Sequence, residues 1–265
     1  MTGGGRTHCV AVGWVPVHYV EHGRGTPVLV LHGAAVDHRE AEACFEPALG
    51  AREGLRRIYP DLPGMGHTPA PESLRTVDDV LEVLLGFTDQ VAGSAPVLVV
   101  GHSAGAYYAH AIAARRPDRV SGLALVCPLL AGVRDVPEHR PVVTREGLGD
   151  EGFRGYFVVQ TPEMLERYRR FVAPAIALTD QAAMQRIGRH WRLDIPAASA
   201  YDGPTLVVAG RQDSVVGYAA AADLLEHYPR VTLAVLDGAG HALPHEQPQL
   251  LAGLLQDWLA RVRTV

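Results

Sequence analysis

The chain has 265 residues, 48% of them hydrophobic and 20% charged, with a formal net charge of −5. That composition suits one large buried core and excludes a disordered chain. The mildly acidic balance, 24 Lys and Arg against 29 Asp and Glu, argues against a nucleic-acid surface, which needs clustered cations.

Residues 1–8 are Gly-rich and polar and lack the apolar stretch of a signal peptide, so a cytoplasmic setting is expected. Residues 10–12 and 15–20 read as two strands of a hairpin turning at Gly13-Trp14. The run 27–31 is continuously apolar and ends in His32-Gly33, as in a strand buried on both faces of a parallel sheet. Residues 39–49 have helical spacing, and 55–59 form another strand that stops at the turn signal Pro60-Asp61-Leu62-Pro63-Gly64. In 77–91, Val80, Val83, Leu84, Phe87 and Val91 recur on one helical face. A strand at 96–100 runs into Gly101, a helix follows from Ser103 to Arg115, and 120–127 is the next strand. Strand, turn and helix repeated in this way imply a parallel sheet with right-handed crossovers.

The rhythm breaks between Pro128 and Asp202. Helical patterns at 163–172 and 181–192, with Tyr156, Phe157, Tyr168, Phe171 and Trp191 to pack them, mark a helical insertion between sheet strands. The sheet resumes at 204–209, followed by a helix at 218–228, a strand at 231–236 and a closing helix at 249–262.

Gly101-His102-Ser103-Ala104-Gly105 fits the Gly-x-Ser-x-Gly nucleophile elbow, with a strand before it and a helix after it. The small flanking residues let strand and helix close around a tight turn that exposes the hydroxyl. A serine needs a base, and His241 follows the last strand in Gly238-Ala239-Gly240-His241. The base needs an acceptor, and Asp213 ends Gly210-Arg211-Gln212-Asp213 after the strand at 204–209. The three stand in the chain order Ser, Asp, His. Oxyanion donors are expected from the backbone N–H groups of Ala104 and Ala34, the latter ahead of Ala35. Tyr107, Val216 and Asp37 are candidate pocket residues. Core packing is the default reading for Val216, and helix capping or a surface role the favoured one for Asp37. His102 and His32 are expected to pack and brace rather than react.

These motifs resemble the α/β-hydrolase superfamily, in its serine-nucleophile esterase and C–C hydrolase branch. His32-Gly33, Asp61-Leu62-Pro63-Gly64-Met65-Gly66, the Ser103 elbow, Gly210-Arg211-Gln212-Asp213 and Gly240-His241 occur in the family's order over nearly the whole chain. The resemblance implies an α/β fold, an eight-stranded mostly parallel sheet flanked by helices, with a helical lid inserted after the sixth strand. Residues 1–128 and 202–265 would form the core domain and 129–201 the lid. Epoxide hydrolases and haloalkane dehalogenases of this superfamily use Asp where this chain has Ser103, so both activities are discounted.

No metal and no cofactor is expected. The 13 histidines show no ligand spacing, and no Walker or dinucleotide pattern follows a strand. Cys9, Cys44 and Cys127 sit in apolar stretches and read as small buried hydrophobes. The pairs Arg56-Arg57, Arg115-Arg116 and Arg169-Arg170 are isolated and read as solvated edges. No apolar run spans a bilayer, so the expected partner is a small-molecule substrate, with neither nucleic acid nor membrane. The leading function is hydrolysis of a small or medium carboxylic ester, lactone or thioester through an acyl-enzyme. The alternatives are C–C hydrolysis of a diketone-type substrate and a low-turnover ligand-binding protein.

Overall fold

A computed structural model describes residues 5–130, 135–189, 191–193, 195 and 200–262. Residues 1–4 of the Gly-rich start and 131–134, 190, 194 and 196–199 of the expected lid lie outside the described residues.

The chain opens with the hairpin β1 (Arg6–Val12) and β2 (Val15–Gly23), followed by β3 (Thr26–Leu31), α1 (His38–Leu49) and β4 (Leu55–Pro60). Next come α2 (Val77–Ala92), β5 (Val97–His102), α3 (Ala104–Arg115) and β6 (Val120–Val126). Between β6 and the next strand lie α4 (Glu151–Tyr156), α5 (Pro162–Arg167), α6 (Ala173–Ile176) and α7 (Gln181–Gly188). The chain closes with β7 (Thr205–Gly210), α8 (Leu224–His227), β8 (Val231–Leu236), α9 (Leu243–Glu246) and α10 (Pro248–Val262).

The eight strands form one sheet in the order β1-β2-β4-β3-β5-β6-β7-β8. Only the β1/β2 and β2/β4 pairs are antiparallel. The chain leaves β3 toward β4 and returns to β5 on the other side, so β3 and β5 pair with Leu31 opposite Gly101. In open α/β sheets, ligands bind at such a reversal, outside the carboxyl ends of the strands. The loops after β3, β5, β7 and β8 all open there.

Local chemistry explains the element ends. Asp37 caps α1 through the Arg39 N–H, and Thr76 with Asp79 forms a capping box on α2. The apolar runs of β3, β5 and β7 are buried on both faces, with one core on each side of the sheet. A third apolar cluster joins Phe153, Phe157, Met164 and Tyr168 to Val36 and Ala242. It seats α4, α5 and α6 on the loops that follow β3 and β8, while Ile187 of α7 joins the core of the sheet.

Some elements differ from expectation. The helix expected at 163–172 is α5 followed by a π turn, Tyr168–Val172, and then α6. Pro174 lies in the first turn of α6 and cannot donate to the carbonyl four residues back, which breaks the regular ladder there. The helix expected at 181–192 ends at Gly188. The one expected at 218–228 is a 3-10 turn, Ala219–Asp223, followed by the short α8. Helix α4 had no clear apolar period in the sequence. Cys9 is exposed on the edge strand β1, because alternate residues of an edge face water. Cys44 is buried, but against Glu40 and His245 rather than in a purely apolar setting. Among the described residues no helix is long and apolar enough to cross a membrane.

The elbow glycines are there for close approach. A Cβ on Gly105 would lie 2.2 Å from the Leu31 carbonyl oxygen, and one on Gly101 would lie 2.3 Å from the Gly105 oxygen. Both obstacles are backbone and do not yield. Gly105→Ala is therefore expected to lose about 1–3 kcal/mol or more of stability in urea unfolding. Gly188→Ala, with no atom within 4 Å of its added Cβ, should match or slightly exceed wild type. Equal melts for the two variants would contradict this account of the elbow.

Candidate active site

Ser103 sits in the turn between β5 and α3 at φ 54 and ψ −118. A residue with a side chain rarely adopts this region, and holding it there costs about 1–3 kcal/mol. Its N–H donates to the Val126 carbonyl at 2.9 Å, and its own carbonyl accepts from the Tyr107 N–H at 3.1 Å. The hydroxyl is thereby aimed at His241, whose Nε2 lies 2.9 Å from Ser103 Oγ. His241 Nδ1 lies 2.8 Å from Asp213 Oδ2. The other oxygen of Asp213 accepts the N–H groups of Val215 at 2.9 Å and Val216 at 3.0 Å.

Asp213 is fully buried. Burial alone would raise its pKa, but the bond and charge of His241 and the two amide donors outweigh it and hold the carboxyl below its usual range. An ionised carboxylate only accepts, so Nδ1 carries the proton and Nε2 is free to accept from the serine hydroxyl.

The loop after β3 lies over the serine, and a Cβ on Gly33 would sit 3.4 Å from Ser103 Cβ. His32 shapes this loop by donating Nδ1–H to the Gly33 carbonyl at 2.7 Å and accepting the Leu62 N–H on Nε2 at 2.9 Å. Ala34 follows with an N–H that meets no acceptor among the described residues. Ala104, the first residue of α3, directs its N–H out of the helix start. Ala35 has φ 59, and its N–H points to Met65 Sδ at 3.2 Å.

Buried Asp61 ties the loop down from behind. It accepts the Nδ1–H of His18 at 2.9 Å and of His38 at 2.8 Å, with the backbone N–H of His38 and His67 at 2.9 Å each. Burial opposes its charge, but His18 and His38 prevail and hold its pKa well below the usual carboxylate range.

The candidate pocket residues separate. Tyr107 accepts the Leu193 N–H at 2.7 Å, and its ring stacks on Trp191 at 6.2 Å, so it meets the segment between β6 and β7. Both oxygens of Asp37 are held by Arg39, and its carboxylate caps α1, the role favoured for it from the sequence. Val216 packs into the core beneath the sheet and presents only its N–H to Asp213. His102 turns away from the serine and donates Nε2–H to the His241 carbonyl at 3.0 Å.

Two buried polar groups had escaped sequence reasoning. Glu246 accepts the N–H groups of Val158 at 2.7 Å, Val159 at 3.1 Å and Gly240 at 2.7 Å. Glu40 lies 3.0 Å from His245, whose other nitrogen accepts from Arg167 Nε at 3.0 Å. The one available signal was Glu40 on the apolar stripe of α1, one turn before Cys44.

Among the described residues, three sets of donor atoms lie within 4.8 Å of one another: His102, Cys127 and His241; His18, His38 and Asp61; Glu40, Cys44 and His245. The chemistry of each set favours internal hydrogen bonds over a cation. Both nitrogens of His241 are engaged, Asp61 already takes four donors, and the Arg167 cation lies on His245.

A profile of the alpha/beta hydrolase family matches residues 28–254. The magnesium-chelatase 30 kDa subunit of Rhodobacter capsulatus is 28% identical over 252 residues, covering 89% of this chain and 87% of that protein. The 2-hydroxy-6-oxo-6-(2'-aminophenyl)hexa-2,4-dienoic acid hydrolase of Metapseudomonas resinovorans is 27% identical, covering 95% of this chain and 90% of that one. Among solved structures, an alpha/beta superfamily hydrolase from Oenococcus oeni PSU-1 superposes with a TM-score of 0.86 at 27% identity, covering 93% of this chain and 96% of that one.

The buried histidine behind His241 makes stability depend on pH. Burial pushes the His102 pKa down to about 4. The unfolded chain takes up this proton as pH falls through about 6.5, while the folded chain refuses it until about 4. Stability from this group is thus complete above the upper value and is lost on the way down, at up to about 1.4 kcal/mol per pH unit. Urea melts stepped across that window should show the slope, and His102→Gln should flatten it. An unchanged slope in the variant would contradict the assignment.

Proposed function

We propose a reaction for this chain, which belongs to the alpha/beta hydrolase family: hydrolysis of a small or medium carboxylic ester, lactone or thioester through an acyl-enzyme on Ser103. The observation that carries the reading is the continuous chain from Ser103 Oγ to His241 Nε2 at 2.9 Å and from His241 Nδ1 to Asp213 at 2.8 Å.

In this reaction Ser103 Oγ attacks the substrate carbonyl carbon while His241 Nε2 takes the hydroxyl proton. The carbonyl π pair moves to oxygen, and the N–H groups of Ala34 and Ala104 receive the oxyanion. The carbonyl re-forms, the bond to the leaving group breaks, and His241 gives that group the proton. Water then adds to the acyl-enzyme with His241 as base, releasing the acid and restoring Ser103. Asp213 stays ionised throughout and stabilises the imidazolium. Residues 129–201 act as the lid, with Tyr107 as the contact from the elbow helix.

One observation favours a second reading. The hexadienoic acid hydrolase relative acts on a molecule whose non-acid carbonyl is a ketone, so its hydrolysis breaks a carbon–carbon bond. The same three residues support that outcome if the leaving group is a stabilised carbanion that His241 protonates.

A fluorophosphonate probe tests the shared step without knowledge of the substrate. Wild type should take one adduct and Ser103→Ala none. His241→Ala should react about a hundred- to ten-thousandfold more slowly. Folded wild type that takes no adduct contradicts the reading and favours a non-catalytic binder. Ester, lactone, thioester and vinylogous-diketone panels then separate the two chemistries.

A further inference from the structure

Burying a carboxylate is costly unless donors surround it. The donors on Glu246 come from two distant stretches of chain. Val158 and Val159 lie after α4, in the segment between β6 and β7, and both donate to Oε1, at 2.7 and 3.1 Å. Gly240, next to the base, donates to Oε2 at 2.7 Å. The two stretches also touch directly, since a Cβ on Gly240 would lie 2.8 Å from Val158 Cγ1. The neighbouring residue repeats the connection, with His245 accepting from Arg167 Nε at 3.0 Å. On the far side of the base, the His241 carbonyl is held by His102 at 3.0 Å.

We propose that Glu246 is a positioning residue that joins the lid segment to the general base, setting His241 against Ser103 only while Val158 and Val159 are docked. The proposal rests on the reading of His241 as the base. Glu246 touches neither substrate nor the reacting atoms. It fixes the peptide that carries the imidazole, and it makes the lid's seating a condition of base geometry. A displacement of about 1 Å in a catalytic group is enough to cost two orders of magnitude in rate.

The experiment uses the full chain and measures fluorophosphonate labelling of Ser103 per folded molecule, below the melting transitions. Turnover of a chromogenic acetate ester is measured beside it. Glu246→Ala should label about ten- to a hundredfold more slowly, with the loss in kcat rather than KM. Glu246→Gln should recover part of the rate, because its amide oxygen still accepts from one side of the junction. Val159→Pro removes one lid-side donor and leaves the carboxylate intact. It should slow labelling and speed amide exchange at Gly240, and it carries the test if Glu246→Ala does not fold. Folded variants that label and exchange like wild type overturn the proposal. Wild type that does not label overturns the hydrolase reading instead, and Gly240 exchange in Val159→Pro then decides whether the clamp exists.

Discussion

A single strained turn organises this molecule. Ser103 is held at φ 54 between a buried strand and a helix that almost touch. The strain persists because its surroundings leave no room to relax. The Ser103 N–H is tied to β6, its carbonyl is tied into α3, and Gly105 lies so close to the end of β3 that a methyl group would overlap the Leu31 carbonyl. From that turn the hydroxyl projects at the carboxyl edge of the sheet. The order β4-β3-β5 puts the loop after β3 directly beside it. The loops after β7 and β8 bring Asp213 and His241 to the same edge, so the sheet topology does the positioning.

The second organising principle is that three buried carboxyl groups near the site each gather several donors. Asp213 takes an imidazole and two amides, Asp61 takes two imidazoles and two amides, and Glu246 takes three amides. Glu40 is fully buried, yet the neighbouring His245 outweighs desolvation and holds its pKa down to about 2. Each carboxyl group joins segments far apart in sequence, and together they fix the loops that carry Ser103, Asp213 and His241. His102, kept neutral by burial, holds the backbone of His241, the residue hydrogen-bonded to Ser103.

Much of this was legible in sequence because it is written locally. Residues 27–31, 97–100 and 206–209 are apolar without alternation, which marks strands covered on both faces, and all three lie inside the sheet rather than at its edges. The elbow announces itself by its flanks, and Asp213 and His241 by following strands. Glu40, His245 and Glu246 were not legible, since their meaning lies in contacts between distant positions such as Glu40 and His245 or Glu246 and Val158. Cys9 misled because it sits among apolar residues on a strand whose outer neighbour is water. In the segment between β6 and β7, short helices broken at Pro174 blur any period, and packing on Val36 and Ala242 decides the arrangement.

The central claim is that Ser103 becomes covalently acylated. It is tested most directly by mixing the protein with a chromogenic acetate ester, quenching in acid during the first turnover and mapping the added mass by peptide mass spectrometry. The account predicts an acetyl group on Ser103 that forms as fast as the phenol is released and disappears as water attacks. Phenol released with Ser103 unmodified, or an acetyl group that accumulates on another side chain, would contradict it.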